Sequence, residues 1–184
     1  MYGSYNKSID YQGGGYGIGV LTREKPLRKE AMVLPGSEEQ HSLLMVELSD
    51  CVIGSTHWSL KQPYRKTSVA VICRGMQKYN SKPVFLAGDF NAVPSSEEIR
   101  EFGKEWTMLN DPASPTIPVK KPVHCIDYIW LKKDPKCNVK VLETRVEKET
   151  MASDHLPVWV TVLKPIPSVV FTSSAESGLL QICY

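Results

Sequence analysis

The sequence has no apolar run near the roughly 18–20 residues that a membrane-crossing helix requires, and no Gly-x-Ser-x-Gly elbow. The first absence excludes a helical membrane span; the second removes the usual mark of an α/β serine hydrolase. Glycines cluster at Gly13-Gly14-Gly15-Tyr16-Gly17, but no Gly-Lys-Ser/Thr follows and the next segment is β-prone, so this is no P-loop. The five cysteines (Cys51, Cys73, Cys125, Cys137 and Cys183) have no Cys-x-x-Cys spacing, and read as free thiols, mostly in core elements. The formal charge is only +2 and the pI 8.2, short of the value above about 9 that marks a dedicated duplex-binding domain. Tyr2-Gly3-Ser4-Tyr5-Asn6-Lys7 shows neither a basic n-region nor an apolar h-region, so no secretory signal is read here and localisation stays unassigned.

What is present is an ordinary globular composition, 42% hydrophobic and 23% charged over 184 residues, enough for one domain with a real core. Residues 1–15 read as a polar, glycine-rich loop, followed by a short β-prone segment from Tyr16 to Thr22. Ser42–Leu48 and Cys51–His57 are apolar runs separated by Ser49-Asp50, the pattern of a tight hairpin with His57 at its exit. Pro63 opens a helix expected to reach Asn80, with Val69, Ile72, Cys73, Met76 and Tyr79 at helical spacing. Val84–Gly88 has the character of a buried strand. A shorter helix is expected from Ser95-Ser96-Glu97-Glu98, its serines suited to capping. Residues 110–123 form a loop with four prolines, and three further strands are expected at His124–Leu131, Asn138–Val146 and Leu156–Leu163. The reading is therefore an α/β or α+β layered domain over residues 1–164, with 165–184 as a C-terminal tail.

The polar residues that break these apolar runs are the candidates for chemistry. In Gly88-Asp89-Phe90-Asn91 a buried strand runs into a carboxylate and a carboxamide, at the end where α/β sheets bind ligands. Asp89 and Asn91 face one substrate together if the extended geometry persists; a plain turn accounts for the same residues. Asp127 lies within the apolar run Cys125–Trp130, where a carboxylate needs a partner. It suits the role of holding an imidazole in one tautomer, and equally a structural one. Asp154 and His155 are adjacent and point apart, so they serve separately, Asp154 toward a metal and His155 toward substrate. His57 leaves its strand where it can donate to a phosphoryl oxygen; a surface histidine fits as well. A zinc site from His124, Cys125 and His155 has poor ligand spacing.

Taken together and in this order, Thr56-His57, Gly88-Asp89-Phe90-Asn91, Ile126-Asp127-Tyr128-Ile129 and Ser153-Asp154-His155 resemble the motifs of the endonuclease/exonuclease/phosphatase superfamily. Its deoxyribonuclease-like fold is shared by abasic-site endonucleases, bacterial neutral sphingomyelinases and inositol polyphosphate phosphatases. The resemblance covers residues 15–163. It implies a two-layer β-sandwich flanked by helices, and a divalent-metal-dependent phosphoester hydrolase, a phosphodiesterase (nucleases included) or a phosphatase. The implied cofactor is Mg²⁺, with Mn²⁺ as the alternative. Asp89 would orient or deprotonate the attacking water, and Asn91 would hold the water or the phosphate. His155 would contact the phosphate or transfer a proton, with Asp127 as its partner; Asp154 would lie at the metal and His57 would bind phosphate. Members of the family carry, before these motifs, a strand ending in Asn and another presenting the principal metal-binding Glu. Glu24 does not match that motif, so the chain is expected to correspond to the family's C-terminal two-thirds. The implied partner is a phosphate-ester substrate (nucleic acid, nucleotide, phospholipid or inositol phosphate), acted on by a monomer. A sphingomyelinase-like phospholipase and a non-catalytic remnant of the same fold are the competing readings.

Overall fold

A computed structural model describes residues 1–164 and 178–184. It has three sheets. The largest has six strands: β3 (Arg28–Leu34), β4 (His41–Glu47), β5 (Val52–His57), β6 (Val84–Asp89), β7 (Trp106–Met108) and β8 (Asp127–Lys132), in the order β3-β4-β5-β6-β8-β7. All neighbours are antiparallel except β5 and β6, which are parallel and need a crossover. Helix α1 (Gln62–Met76) provides it, and α2 (Glu97–Glu105) follows β6.

Alternation along the strands assigns each side chain to a layer. Leu43 and Met45, Val84 and Leu86, and Tyr128 and Trp130 face the helices, where they meet Val69, Ile72, Met76, Ile99 and Phe102. Their neighbours Leu44, Val46, Phe85, Ala87 and Ile129 face the other way. There they pack on β2 (Gly14–Thr22), β10 (Val158–Lys164) and β11 (Gly178–Cys183) through Ile18, Val20, Val158, Val160, Val162 and Ile182. The result is a β-sandwich with helices over the outer face of the larger sheet. Such a central sheet, buried on both faces, explains why β4 and β6 carry the continuous apolar runs Leu43–Val46 and Val84–Ala87 rather than alternating.

Several expectations hold: the hairpin at Ser49-Asp50, closed by Leu48 N–H donating to Cys51 O at 2.8 Å, both helices, and the strands after residue 124. Three cysteines are buried and all five are free. No helix among the described residues is long and apolar enough to cross a membrane. Others need correction. Residues 1–15 are not a loop: β1 (Tyr2–Tyr11) pairs with β2 along its whole length. Gln12 and Gly13 turn the hairpin with φ of 48° and 79°, the backbone of a type I′ turn. Helix α1 stops at Met76, short of Asn80, and Ser96 is the N-cap of α2 without a side-chain capping bond. Of the expected tail, residues 165–177 lie outside the described residues. Residues 178–183 form β11, antiparallel to β10, whose other neighbour is β9 (Lys140–Val146).

Gly88 shows why the site motif begins with glycine. It is the register partner of Thr56, and a Cβ at this position would fall 2.1 Å from the Thr56 carbonyl oxygen. Backbone cannot retreat as a flexible side-chain tip can, so β5 and β6 would have to part beside His57 and Asp89. Gly88→Ala is expected to cost about 1–3 kcal/mol, read as a lowered midpoint in urea unfolding; an unchanged midpoint contradicts the account.

Candidate active site

Sheet register brings three of the expected residues into one row. His57 pairs with Asp89 across β5–β6, and Asp89 pairs with Asp127 across β6–β8. Each lies an even number of residues from a side chain in the inter-sheet layer (Ile53, Ala87 and Ile129), so all three project to that side. The row ends at a cleft of about 340 Å³ lined by Tyr16, His57, Asp89, Asp154, His155 and Tyr184, among others. His57 Nε2 lies 3.6 Å from Asp89 Oδ2, close enough for charge to be felt but beyond a hydrogen bond.

Beyond Asp89 the extended geometry stops, which corrects the expectation that Asp89 and Asn91 project together. Phe90 turns into the helix-side core, against Trp58 and Tyr128 with ring centroids at 4.5 and 5.5 Å. Asn91 takes a left-handed φ of 48°, a conformation asparagine tolerates better than most residues. Its backbone N–H donates to Asp89 Oδ1 at 2.7 Å, and its Nδ2 donates to the Trp58 carbonyl at 2.8 Å. Asn91 therefore braces the carboxylate and ties the end of β6 to the segment after β5.

Asp127 is fully buried and is the partner of His155. The imidazole Nδ1 lies 2.9 Å from Asp127 Oδ2 and 3.1 Å from Oδ1, and the Thr116 hydroxyl donates to Oδ2 at 2.5 Å. Asn110 completes the support, donating to the Asp127 carbonyl and accepting from the Ile129 N–H. His155 arrives on a loop, not a strand. That loop is fastened to the proline-rich segment by Val119 N–H to Asp154 O and Leu156 N–H to Thr116 O, both 2.8 Å. Glu24, by contrast, accepts the Ser49 N–H at the opposite end of β4 and β5, in accord with its failure to match the metal motif.

These placements drive the titrations apart. Burial, with the Asp127 charge alongside, pushes the Asp89 carboxyl up to about 7. The hydrogen bond to Asp127 raises His155 above the ordinary histidine value, against the opposing effect of burial. Burial lowers His57, so its neutral form is favoured. Neighbouring groups with divergent titrations are the pattern of acid–base chemistry.

Ligand atoms of Asp89, Asp127 and His155 lie within 4.8 Å of one another. A carboxyl driven up by burial and by a second carboxylate marks negative charge that the protein does not neutralise, and oxygen donors suit a hard divalent cation. The residues present thus fit such a cation, which the family uses. Asp154, the expected metal residue, is exposed on the same cleft but outside this tight trio. His124 and Cys125 belong to no such group among the described residues.

Sequence reasoning missed Thr116, Asn110, Tyr16 and Tyr184. Both tyrosines line the cleft. Tyr184 is set there by a reciprocal backbone pair with Val158, both bonds 2.7 Å. No local motif marks any of the four, because each owes its position to a contact distant in sequence.

The profile of the Endonuclease/Exonuclease/phosphatase family matches residues 2–155. The chain belongs to this family, whose members are hydrolases acting on phosphoesters. The match reaches into the first hairpin, which the motifs alone did not cover. No curated protein matches the chain. Solved structures with the same fold include a mannosyl-6-phosphatase of Bacteroides thetaiotaomicron, 16% identical with a TM-score of 0.69, the alignment covering 88% of this chain and 77% of that one. The human Nocturnin catalytic domain with bound sulfate is 18% identical with a TM-score of 0.66, over 89% and 72%. D. rerio TDP2 complexed with a single-strand DNA product is 18% identical with a TM-score of 0.64, over 87% and 76%.

Proposed function

We infer that this chain hydrolyses phosphoesters by attack of water on phosphorus at the His57–Asp89–Asp127–His155 centre, with Mg²⁺ as the resident cation. The observation that carries the reading is the Asp127–His155 pair standing beside a second buried carboxylate, Asp89, opposite Asp127 in the ladder. Asp154 would hold the cation on the cleft beside Asp89; when bound, the cation would neutralise phosphate charge and lower the pKa of water. Asp89, braced by the Asn91 N–H, orients the attacking water and takes its proton. His155, fixed in one tautomer by Asp127, gives its other nitrogen to the phosphate or the leaving oxygen. His57, neutral, donates to a non-bridging phosphate oxygen, supplying the preorganised polarity that phosphoryl transfer rewards.

Among the competing substrates the fold favours none, since loops decide specificity. Incubation with bis-p-nitrophenyl phosphate and p-nitrophenyl phosphate is the direct test. Nitrophenolate release is expected only with Mg²⁺ or Mn²⁺ and is expected to stop on adding chelator. Release that persists unchanged in chelator, or none with either ester and either cation, refutes the assignment.

A further inference from the structure

His41 begins β4 beside the site but takes no part in the chemistry proposed above. It is 3% exposed, and neither ring nitrogen has a hydrogen-bond partner. A buried polar group left in that state costs free energy that a ligand would recover. The ring is closely packed. Its edge meets the His57 ring at a centroid distance of 5.3 Å and an angle of 83°, and the backbone before it folds closely over it. A Cβ at Gly36 would lie 2.5 Å from His41 Cδ2, so glycine at that position lets the segment close.

The segment also brings in Glu39, whose Oε1 lies 3.9 Å from His41 Nδ1. Ligand atoms of Glu39, His41 and His57 all fall within 4.8 Å of one another. The side chains of Glu39 and His57 are 30% and 24% exposed, which leaves an approach from solvent. We propose that Glu39, His41 and His57 form a second cation site, selective for a borderline transition metal of the Zn²⁺ class rather than Mg²⁺.

The ligand types argue for that class. Two imidazoles and one carboxylate suit Zn²⁺, Co²⁺ or Fe²⁺, whereas Mg²⁺ prefers oxygen donors and retains its waters. Burial keeps His41 in the neutral form that metals bind. Coordination through one ring nitrogen of His57 fixes the proton on the other, so an ion here would set the tautomer of the histidine that faces Asp89. The site stands on its own geometry and does not depend on the chain hydrolysing phosphoesters.

Cobalt(II) titration followed by visible absorption tests it. In the Asp89→Asn/Asp154→Asn protein, which removes carboxylates of the neighbouring centre, one equivalent of Co²⁺ is expected to bind with d–d bands and to be displaced by Zn²⁺. Adding Glu39→Gln or His41→Gln to that background is expected to weaken binding by more than about a hundredfold, beyond the loss of an outer partner. Glu39 is partly exposed, so its variant decides the matter if His41→Gln does not fold. Absence of the cobalt bands in the Asp89→Asn/Asp154→Asn protein, or their full retention after either replacement, overturns the site.

Discussion

Asp89→Asn is expected to lower kcat by about a thousandfold or more while making the cation-free protein more stable at pH 8. The substitution keeps the shape and removes both the base and the charge. Asp89 is 8% exposed and lies opposite Asp127 in the ladder, so its ionised form is costly in the fold. A carboxyl held above its unfolded value stabilises the native state below the ordinary aspartate range, and that contribution disappears as pH rises through about 7. At pH 8 the parent therefore carries a burden on the order of a few kcal/mol that the asparagine variant lacks. Thermal melts at pH 4 and pH 8, with and without Mg²⁺, measure this, and the variant's advantage is expected only at the higher pH without the cation. A stabilised but inactive variant assigns Asp89 to the chemistry and not to folding. A variant within tenfold of the parent rate contradicts the proposed role.

His155→Ala is expected to reduce kcat by about 10²–10⁴, the range typical of a lost general acid or base. Asp127→Asn tests the same pair from the other side. With Asp127 in place the His155 imidazolium is favoured, so an activity that needs the proton on His155 falls only above the ordinary histidine range. Without the carboxylate that alkaline limb is expected to move to lower pH, and the asparagine can also hold the wrong tautomer. The kcat–pH profile shows this directly. An unmoved alkaline limb in Asp127→Asn, or parent activity in His155→Ala, removes the pair from the mechanism. The profile also separates catalysis from damage, because Asp127 supports the Thr116 segment and its replacement is expected to lower the melting temperature as well.

How far the sequence revealed the protein depended on whether its signals were local. β4, β6 and α1 were legible because burial on two faces, or on one helical stripe, writes itself into composition. β1 was not. Its Ser and Lys residues suggest a loop, its interior half is mostly small or polar, and only Ser4 is fully buried. The clue lay in Gln12-Gly13, which turns the chain with positive φ as the commoner Asn-Gly would. β3 was hidden for the opposite reason: an edge strand with charged Arg28, Lys29 and Glu30 has little core to declare itself.

At the site, Asp89 and Asp127 stood out as carboxylates in or at the end of apolar runs, Asp154 and His155 as a pair preceding the last strand, and His57 as a strand exit. The structure brings all five to one cleft or its edge. The orientation of Asn91 was left open between an extended residue and a turn, because a left-handed residue cannot be told from an extended one by pattern alone. Thr116, Tyr16 and Tyr184 were unreadable, since what matters in them is the loop or terminus that carries them to the cleft.

The row His57–Asp89–Asp127 also dictates where the chain can vary in length. The three side chains meet only because β5, β6 and β8 share one register, and a one-residue insertion within any of these strands would send its polar residue to the helix face. The turns from Gln77 to Pro83 and from Lys133 to Val139 lie between elements and bear no such constraint, since added residues there leave the ladder untouched and lengthen a loop at small entropic cost. Related sequences are therefore expected to differ in size between the motifs and to keep their spacing within the strands.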